Sequence, residues 1–252
     1  MRASIKNDRY ERTTLSPTVK PSWPRRKPSE SRSTSVPTSP YVDEANSEND
    51  ASGGGRSTAA GHQQYERIKK IAAELFATRG YRAVGVAEIG DAVKLGRGAL
   101  YYHISSKEDL LFSIVVRYIE NLVVSGREAI ENEPDPAKRI YILSRQLMNT
   151  IYSNLSEMTV CFREADCLTG HRHKVVSDLH QAYQDIWEAT LREGERKKIF
   201  RHLDTVAIKG ILGMYFYSFL WLKPGGKKSA NDIADVFAEM TIAIAESKPR
   251  KR

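Results

Sequence analysis

The chain has 252 residues, 40% of them hydrophobic and 28% charged, with 2 cysteines and a formal net charge of +8. That length and apolar content fit one or two helical domains with unstructured tails, and two reduced cysteines suit a cytoplasmic protein. Residues 1–62 carry 10 basic and 7 acidic side chains, residues 248–252 carry 4 basic and none acidic, and residues 63–247 carry 25 against 24. The basicity therefore belongs mostly to the tails, and any nucleic-acid-facing patch on the folded part must be local.

In chain order, residues 1–62 are rich in Ser, Thr, Pro, Arg and Gly, and Pro17 to Pro40 follows no helical or strand period, so a disordered extension is expected. Such a segment can serve as a tethered cationic arm or be modified at Ser16-Pro17 and Ser39-Pro40, and it can equally be a plain solvated extension. No apolar signal core follows Met1, and the acidic residues argue against a transit peptide, which again places the protein in the cytoplasm. From Gln63, the residues Ile68, Ile71, Ala72, Leu75 and Phe76 recur at helical spacing, and Arg79-Gly80 ends the segment with glycine in the capping position.

The stretch Val86 to Leu111, VAEIGDAVKLGRGALYYHISSKEDLL, carries the strongest signal. Ile89, Ala92 and Val93 mark one helix face, the pattern breaks at Lys94-Leu95-Gly96, and it resumes at Ala99 and Leu100. A second helix from Arg97 to His103 is too short to stand alone and must be held by its neighbours, as in a helix-turn-helix. Its first turn would point at base edges. Arg97 can donate in a bidentate manner to guanine or phosphate, Gly98 permits close approach, and Tyr101, Tyr102 and His103 suit phosphate or base contacts. Gly96 is the expected cap of this helix. Ser105 with Glu108 reads as a capping box opening the next helix, which places Lys107 and backbone amides where a phosphate can sit.

Leu110, Leu111, Ile114, Val115, Tyr118, Ile119, Leu122 and Val123 then predict a long amphipathic helix, ended by the break at Pro134-Asp135-Pro136. The segments Ala137 to Asn154, Met158 to Leu168 and Ser177 to Arg192 read as helical, without strand alternation or a glycine-rich phosphate loop. Val206 to Leu222 is almost continuously apolar, yet it holds Lys209 and falls short of the roughly 20 residues that span a bilayer, so a helix buried on both sides is expected and no membrane contact. Gly210 and Gly213 allow close helix approach, and a final helix from Ala230 to Glu246, capped by Ser229 or Asn231, could complete half of a four-helix interface with a second copy.

These residues resemble the TetR family of dimeric transcriptional regulators. The resemblance is carried by IKKIAAELFATRGY and AEIGDAVKLGRGALYYHISSKEDL, with Phe76, Gly80, Leu100, Tyr101, His103, Lys107 and Glu108 at family spacing. It implies an all-α fold, with a three-helix DNA-binding domain at residues 63–110, a helical effector-binding and dimerisation domain at 111–247, and a basic tail at 248–252. The DNA-facing residues it implies are Gly85, Val86, Arg97, Gly98, Ala99, Tyr101, Tyr102, His103 and Lys107. Four departures bear on affinity and sequence preference more than on fold: Gly85 stands where Thr is common, Lys94 where the turn has Gly, Gly96 where Ser caps, and Ile104 where Phe is usual. The segment from Trp221 to Lys228 and the Ser-x-x-Asp-Ile-Ala-Asp after it resemble members that respond to coenzyme A thioesters. The implied partners are a palindromic DNA operator, a second copy of the chain and a small hydrophobic effector such as an acyl-CoA. The residues selected to line its site are Met148, Tyr152, Phe162, Arg163, Tyr183, Trp187 and Tyr215, Arg163 because an arginine inside an apolar helix needs an anionic partner. The aromatic ones can equally be plain core.

Cys161, Cys167, His171 and His173 hold the ligand types of a zinc site. Six residues rotate a helix by about 240°, so the two sulfurs point to different faces unless the helix breaks, and no metal or cofactor is expected. No nucleophile elbow, paired-carboxylate motif or dinucleotide fingerprint points to an enzyme. A metal or redox sensor and a non-DNA-binding heterodimer partner stand as the alternatives.

Overall fold

A computed structural model describes residues 55–246, all helix and connecting turns, with no strand among them. The elements are α1 (Gly55–Arg79), α2 (Val86–Val93), α3 (Arg97–His103), α4 (Lys107–Asn132), α5 (Pro136–Ser153), α6 (Leu155–Glu164), α7 (Gly170–Arg196), α8 (Thr205–Tyr217) and α9 (Ala230–Glu246). Helix α1 starts well ahead of the expected Gln63. Ala59, Ala60, Gln63 and Gln64 are good helix formers, so a helix nucleated by packing further on extends back through them at little cost. The rest of the expected N-terminal extension and the basic tail lie outside the described residues.

Ile68, Ala72, Ala73 and Phe76 of α1 pack with Val84, Ile89, Val93 and Leu100 into the core under α2 and α3. The buried face of α2 differs by one residue from expectation: Ala92 is exposed and Gly90 is buried. A β-carbon on Gly90 would sit 3.0 Å from the Leu95 carbonyl oxygen, so the close turn needs glycine there. That turn is closed by Lys94, left-handed at φ 57°, with Leu95 N donating to Gly90 O at 2.9 Å.

Helix α4 opens on Ser106, not Ser105. The Ser106 hydroxyl accepts from the Asp109 amide at 3.0 Å and donates to the Asp109 carboxylate at 2.7 Å. The box is thus shifted by one residue, and Glu108 is released for another task described below. Helix α5 begins with the Asp135 carboxylate accepting from Ala137 N at 2.9 Å and with Pro136 in its first turn. The predicted helix at Met158 to Leu168 is instead α6, ending at Glu164 in a short 3-10 turn over Ala165–Cys167.

Helices α4, α5, α7, α8 and α9 share a core that includes Leu122, Leu147, Met148, Trp187, Ile211 and Phe237. One arginine is sealed into this part: Arg139, 2% exposed, donates to Glu193 at 2.9 Å and to the Glu133 carbonyl. Helix α8 is not buried on both sides. Ile208, Ile211, Leu212 and Tyr215 face inward, whereas Val206 and Tyr217 are exposed, with Gly210 and Gly213 open between them, as is Leu220 in the short 3-10 turn Ser218–Leu220 that follows. On α9, Val236, Met240 and Ile244 are exposed in the same way. No helix among the described residues is long and apolar enough to cross a membrane.

Candidate functional site

The expected DNA-facing residues gather on the outer side of the α2–turn–α3 unit. Gly85, Arg97, Gly98, Ala99, Tyr101 and Tyr102 are exposed, and Val86, His103 and Lys107 are partly so. Leu100 and Ile104 face inward and hold α3 to the core, which turns the rest of this short helix outward. Tyr102 is 85% exposed, its ring edge-on to His103 at 5.2 Å. The Arg97 guanidinium lies over the Tyr101 ring at 5.7 Å, so a cation is held against an aromatic face at the start of α3. Gly96 caps α3 in extended backbone without a side-chain bond, as its lack of a hydroxyl requires. Lys107 takes an unexpected place: its ammonium sits over the Tyr81 ring at 4.2 Å, and partial burial lowers its pKa against the pull of Cys167 and Glu164. Arg79 pairs with Glu88 and so ties the end of α1 to α2.

The residues expected to line an effector site separate into two groups. Tyr183, Trp187 and Tyr215 come together in the interior, with the Trp187 and Tyr215 rings 5.2 Å apart. Met148 is buried on α5, where its sulfur accepts from the Ser218 hydroxyl. Tyr152 instead accepts from Gly225 N at 2.9 Å and anchors the loop before α9. Phe162 is 49% exposed and stacks on Phe219 at 5.0 Å. Arg163 is exposed on α6 and reaches the Ala77 carbonyl of α1 at 3.5 Å; the arginine in an apolar interior is Arg139. Helical spacing sets Arg163 among apolar residues in sequence, but α6 turns that face toward α1 and solvent.

Two features escaped sequence reasoning. The first is a row of hydrogen bonds across α4, α6 and α7, buried at Tyr118 and Cys161 and part-buried at His180. His180 Nδ1 can only donate to the Val176 carbonyl, at 2.8 Å, so in the neutral ring Nε2 accepts from the Tyr118 hydroxyl at 2.8 Å, which in turn accepts from the Cys161 thiol at 2.9 Å. Burial keeps all three neutral, pushing Cys161 up to about 11, raising Tyr118 and lowering His180. The second is a junction at the α6–α7 corner. Glu108, freed from the cap, accepts from the Thr169 amide at 3.1 Å and hydroxyl at 3.0 Å, and Arg172 pairs with both Glu108 and Asp109. Each joins helices far apart in sequence, and only the i,i+4 spacing of Val176 and His180 left a local trace.

Cys161 and Cys167 are both free. Cys161 faces Tyr118, whereas the Cys167 thiol donates to Glu164 at 3.6 Å, and among the described residues no three metal-ligating side chains converge. A recess of about 350 Å³ opens between Trp221, Leu222, Ile233 and Phe237, with Lys223, Lys227 and Lys228 at its rim; the expected effector-lining residues do not border it.

Residues 68–114 match the model described as bacterial regulatory proteins, tetR family, and residues 133–245 match the tetracyclin repressor-like C-terminal domain. The chain belongs to the TetR family of transcriptional regulators. This TetR-family regulator is 24% identical over 178 residues to the HTH-type transcriptional repressor KstR2 of Mycobacterium tuberculosis, covering 69% of this chain and 89% of the relative. Among solved structures it is similar to the TetR-family regulator PfmR of Thermus thermophilus, with a TM-score of 0.65 and 26% identity over 70% of this chain and 97% of the other. It is also similar to AibR in complex with isovaleryl coenzyme A and operator DNA, with a TM-score of 0.63 and 26% identity over 71% and 98% of the two chains.

Proposed function

We propose that this regulator is a homodimeric repressor that occupies a palindromic operator and is released by a small hydrophobic effector, with coenzyme A thioesters as the leading class. In this reading residues 63–110 read DNA and residues 111–247 bind effector and partner. Arg97, Gly98, Ala99, Tyr101, Tyr102 and His103 enter the major groove, while Gly85, Val86 and Lys107 lie beside the phosphate backbone. Lys107 must leave the Tyr81 ring to reach a phosphate, a move made easier because both side chains are only partly buried. The outward apolar stripes of α8 and α9 support a second copy packed across them, since Val206, Tyr217 and Leu220 would otherwise stay in water.

The observation that carries the reading is the junction at the α6–α7 corner. Arg163 on Ala77, Thr169 on Glu108 and Arg172 on Asp109 tie the effector-side helices to α1 and to the first turn of α4, next to α3. An effector that favours a shifted α6–α7 corner thereby moves the reading helices, and a coupling of about 1–3 kcal/mol suffices for release. The likeness to the repressor KstR2 and to the AibR complex supports the repressor and thioester parts. The test is footprinting of the full chain on DNA upstream of its own gene, with and without isovaleryl-CoA and oleoyl-CoA. A protected palindrome lost on thioester addition is expected. Protection that persists with both thioesters removes that effector class, and no protection removes the repressor.

A further inference from the structure

Among the described residues, four buried side-chain polar atoms lack a hydrogen-bond partner: Gln64 Nε2, Gln146 Oε1, the Tyr183 hydroxyl and Trp187 Nε1. The last two differ in kind from the first two. Tyr183 and Trp187 are 1% and 0% exposed, lie one turn apart on the inner face of α7, and neighbour each other there. The Trp187 N–H lies beside the Tyr183 hydroxyl and works against the rise in its pKa caused by burial, yet neither group is satisfied by a well-formed bond. A buried tyrosine hydroxyl or tryptophan N–H almost always finds a partner, so two adjacent orphans mark a place built to receive one.

The surrounding polar groups are already engaged. Thr241 donates to the Phe237 carbonyl at 2.8 Å, so it accepts from Tyr215, whose oxygen accepts from Ser144 at 2.6 Å. His180, one turn before Tyr183, is engaged by Tyr118 and Val176. What is missing is an acceptor. Trp187 Nε1 can only donate, and the Tyr183 hydroxyl beside it can do the same, so one oxygen with two lone pairs would satisfy both. The other buried residues of α7 are Val176, Ile186, Thr190, Leu191 and Gly194, none of them charged, which favours a neutral carbonyl over a carboxylate. A path of rings leads outward: His180 lies 6.4 Å from Phe216, and Phe216 lies 5.8 Å from the half-exposed Phe162.

Building on the effector-responsive reading above, we propose that Tyr183 and Trp187 form the polar end of the effector site and jointly donate to a carbonyl oxygen of an otherwise apolar effector, which enters past Phe162. The ketone, ester or thioester carbonyl is the recognised group, and the apolar body lies along the aromatic face of α7. The two residues thereby set a preference for oxygenated over plain hydrocarbon ligands of the same shape.

The experiment uses the full chain and two matched pairs of probes, 1-tetralone with tetralin and 2-octanone with octane, read by tryptophan fluorescence and thermal shift. The ketone of at least one pair is expected to bind roughly ten-fold more tightly than its hydrocarbon, and Tyr183→Phe to remove most of that preference while leaving hydrocarbon binding within about two-fold. Trp187→Phe should act in the same direction; if it does not fold, Tyr183→Phe, which keeps the ring, decides alone. Ketone and hydrocarbon equal in both pairs, as a site built only for a bound water would give, overturns the proposal. A ketone preference that survives Tyr183→Phe also overturns it. Operator binding measured on the same samples separates the two readings: bound operator without ketone preference sinks this proposal alone, and ketone preference without operator binding supports it while sinking the repressor.

Discussion

The α2–α3 edge and the inner face of α7 use the same residue types in opposite ways. On α3, Arg97, Tyr101, Tyr102 and His103 turn their polar tips outward, while the helix is held from beneath by Leu100 and Ile104. On α7, Tyr183 and Trp187, with the part-buried His180 one turn before them, turn theirs inward, where each polar atom must find a partner away from bulk water. An outward tyrosine costs the fold almost nothing, so a surface can be specialised for a partner without changing stability. An inward one binds stability and recognition together.

Breaking the interior should therefore have the largest effect on stability. Arg139→Ala is expected to destabilise by about 3 kcal/mol, because it leaves Glu193 and the Glu133 carbonyl without their buried partner, and chemical denaturation measures it. The same pair sets an acid limit. Lys197 and Arg139 hold the Glu193 carboxyl at about 2, below its ordinary 4.5, so its contribution is complete above pH 4.5 and is lost as pH falls from there toward 2. A urea midpoint series across that window should fall more steeply in the parent than in Glu193→Gln.

At the outward edge, Tyr102→Ala and Arg97→Ala should leave the urea midpoint unchanged within error and weaken operator binding by roughly ten-fold or more, Arg97→Ala also relaxing sequence preference. Equal losses on operator and random DNA would make Arg97 a phosphate contact instead. Arg172→Ala tests the link between the regions: operator affinity should stay within about three-fold while any effector response shrinks, since the coupling itself is on the order of 1 kcal/mol. The smallest effects belong to local backbone. Ser106→Ala should cost about 1 kcal/mol and Ser105→Ala almost nothing, which separates the two possible caps. Lys94→Gly should gain a few tenths of a kcal/mol to about 1 by relieving the left-handed turn.

How far the sequence could be read follows the same division. The α2–α3 edge is local: Gly85 to Lys107 is one continuous stretch, and its helix period, break and cap types are written side by side. Even there the cap slipped by one residue, because Ser105-Ser106 and Glu108-Asp109 offer two boxes of nearly equal chemistry and only packing chooses. The interior is assembled from helices far apart in sequence, α6 among them. Nothing in the sequence brings Tyr118, Cys161 and His180 together, and Arg163 and Arg139 both sit among apolar residues, so helical period alone could not say which one is sealed in. The apolar run at Val206 to Leu222 was legible as a helix but not as one-sided, since an exposed face as apolar as the core-facing one leaves no helical period to read.

The row from Cys161 through Tyr118 to His180 has a consequence for chemical durability. A thiol held neutral until about pH 11 exposes only about one thiolate in ten thousand at neutral pH, and the thiolate is the form that peroxides and alkylating reagents attack. Cys161 is thus shielded twice, by depth and by protonation, whereas Cys167 is half-buried at the α6–α7 corner beside Lys107 and Glu164. Under oxidative stress the two sulfurs of this regulator should age at different rates, with damage falling on the corner and sparing the interior.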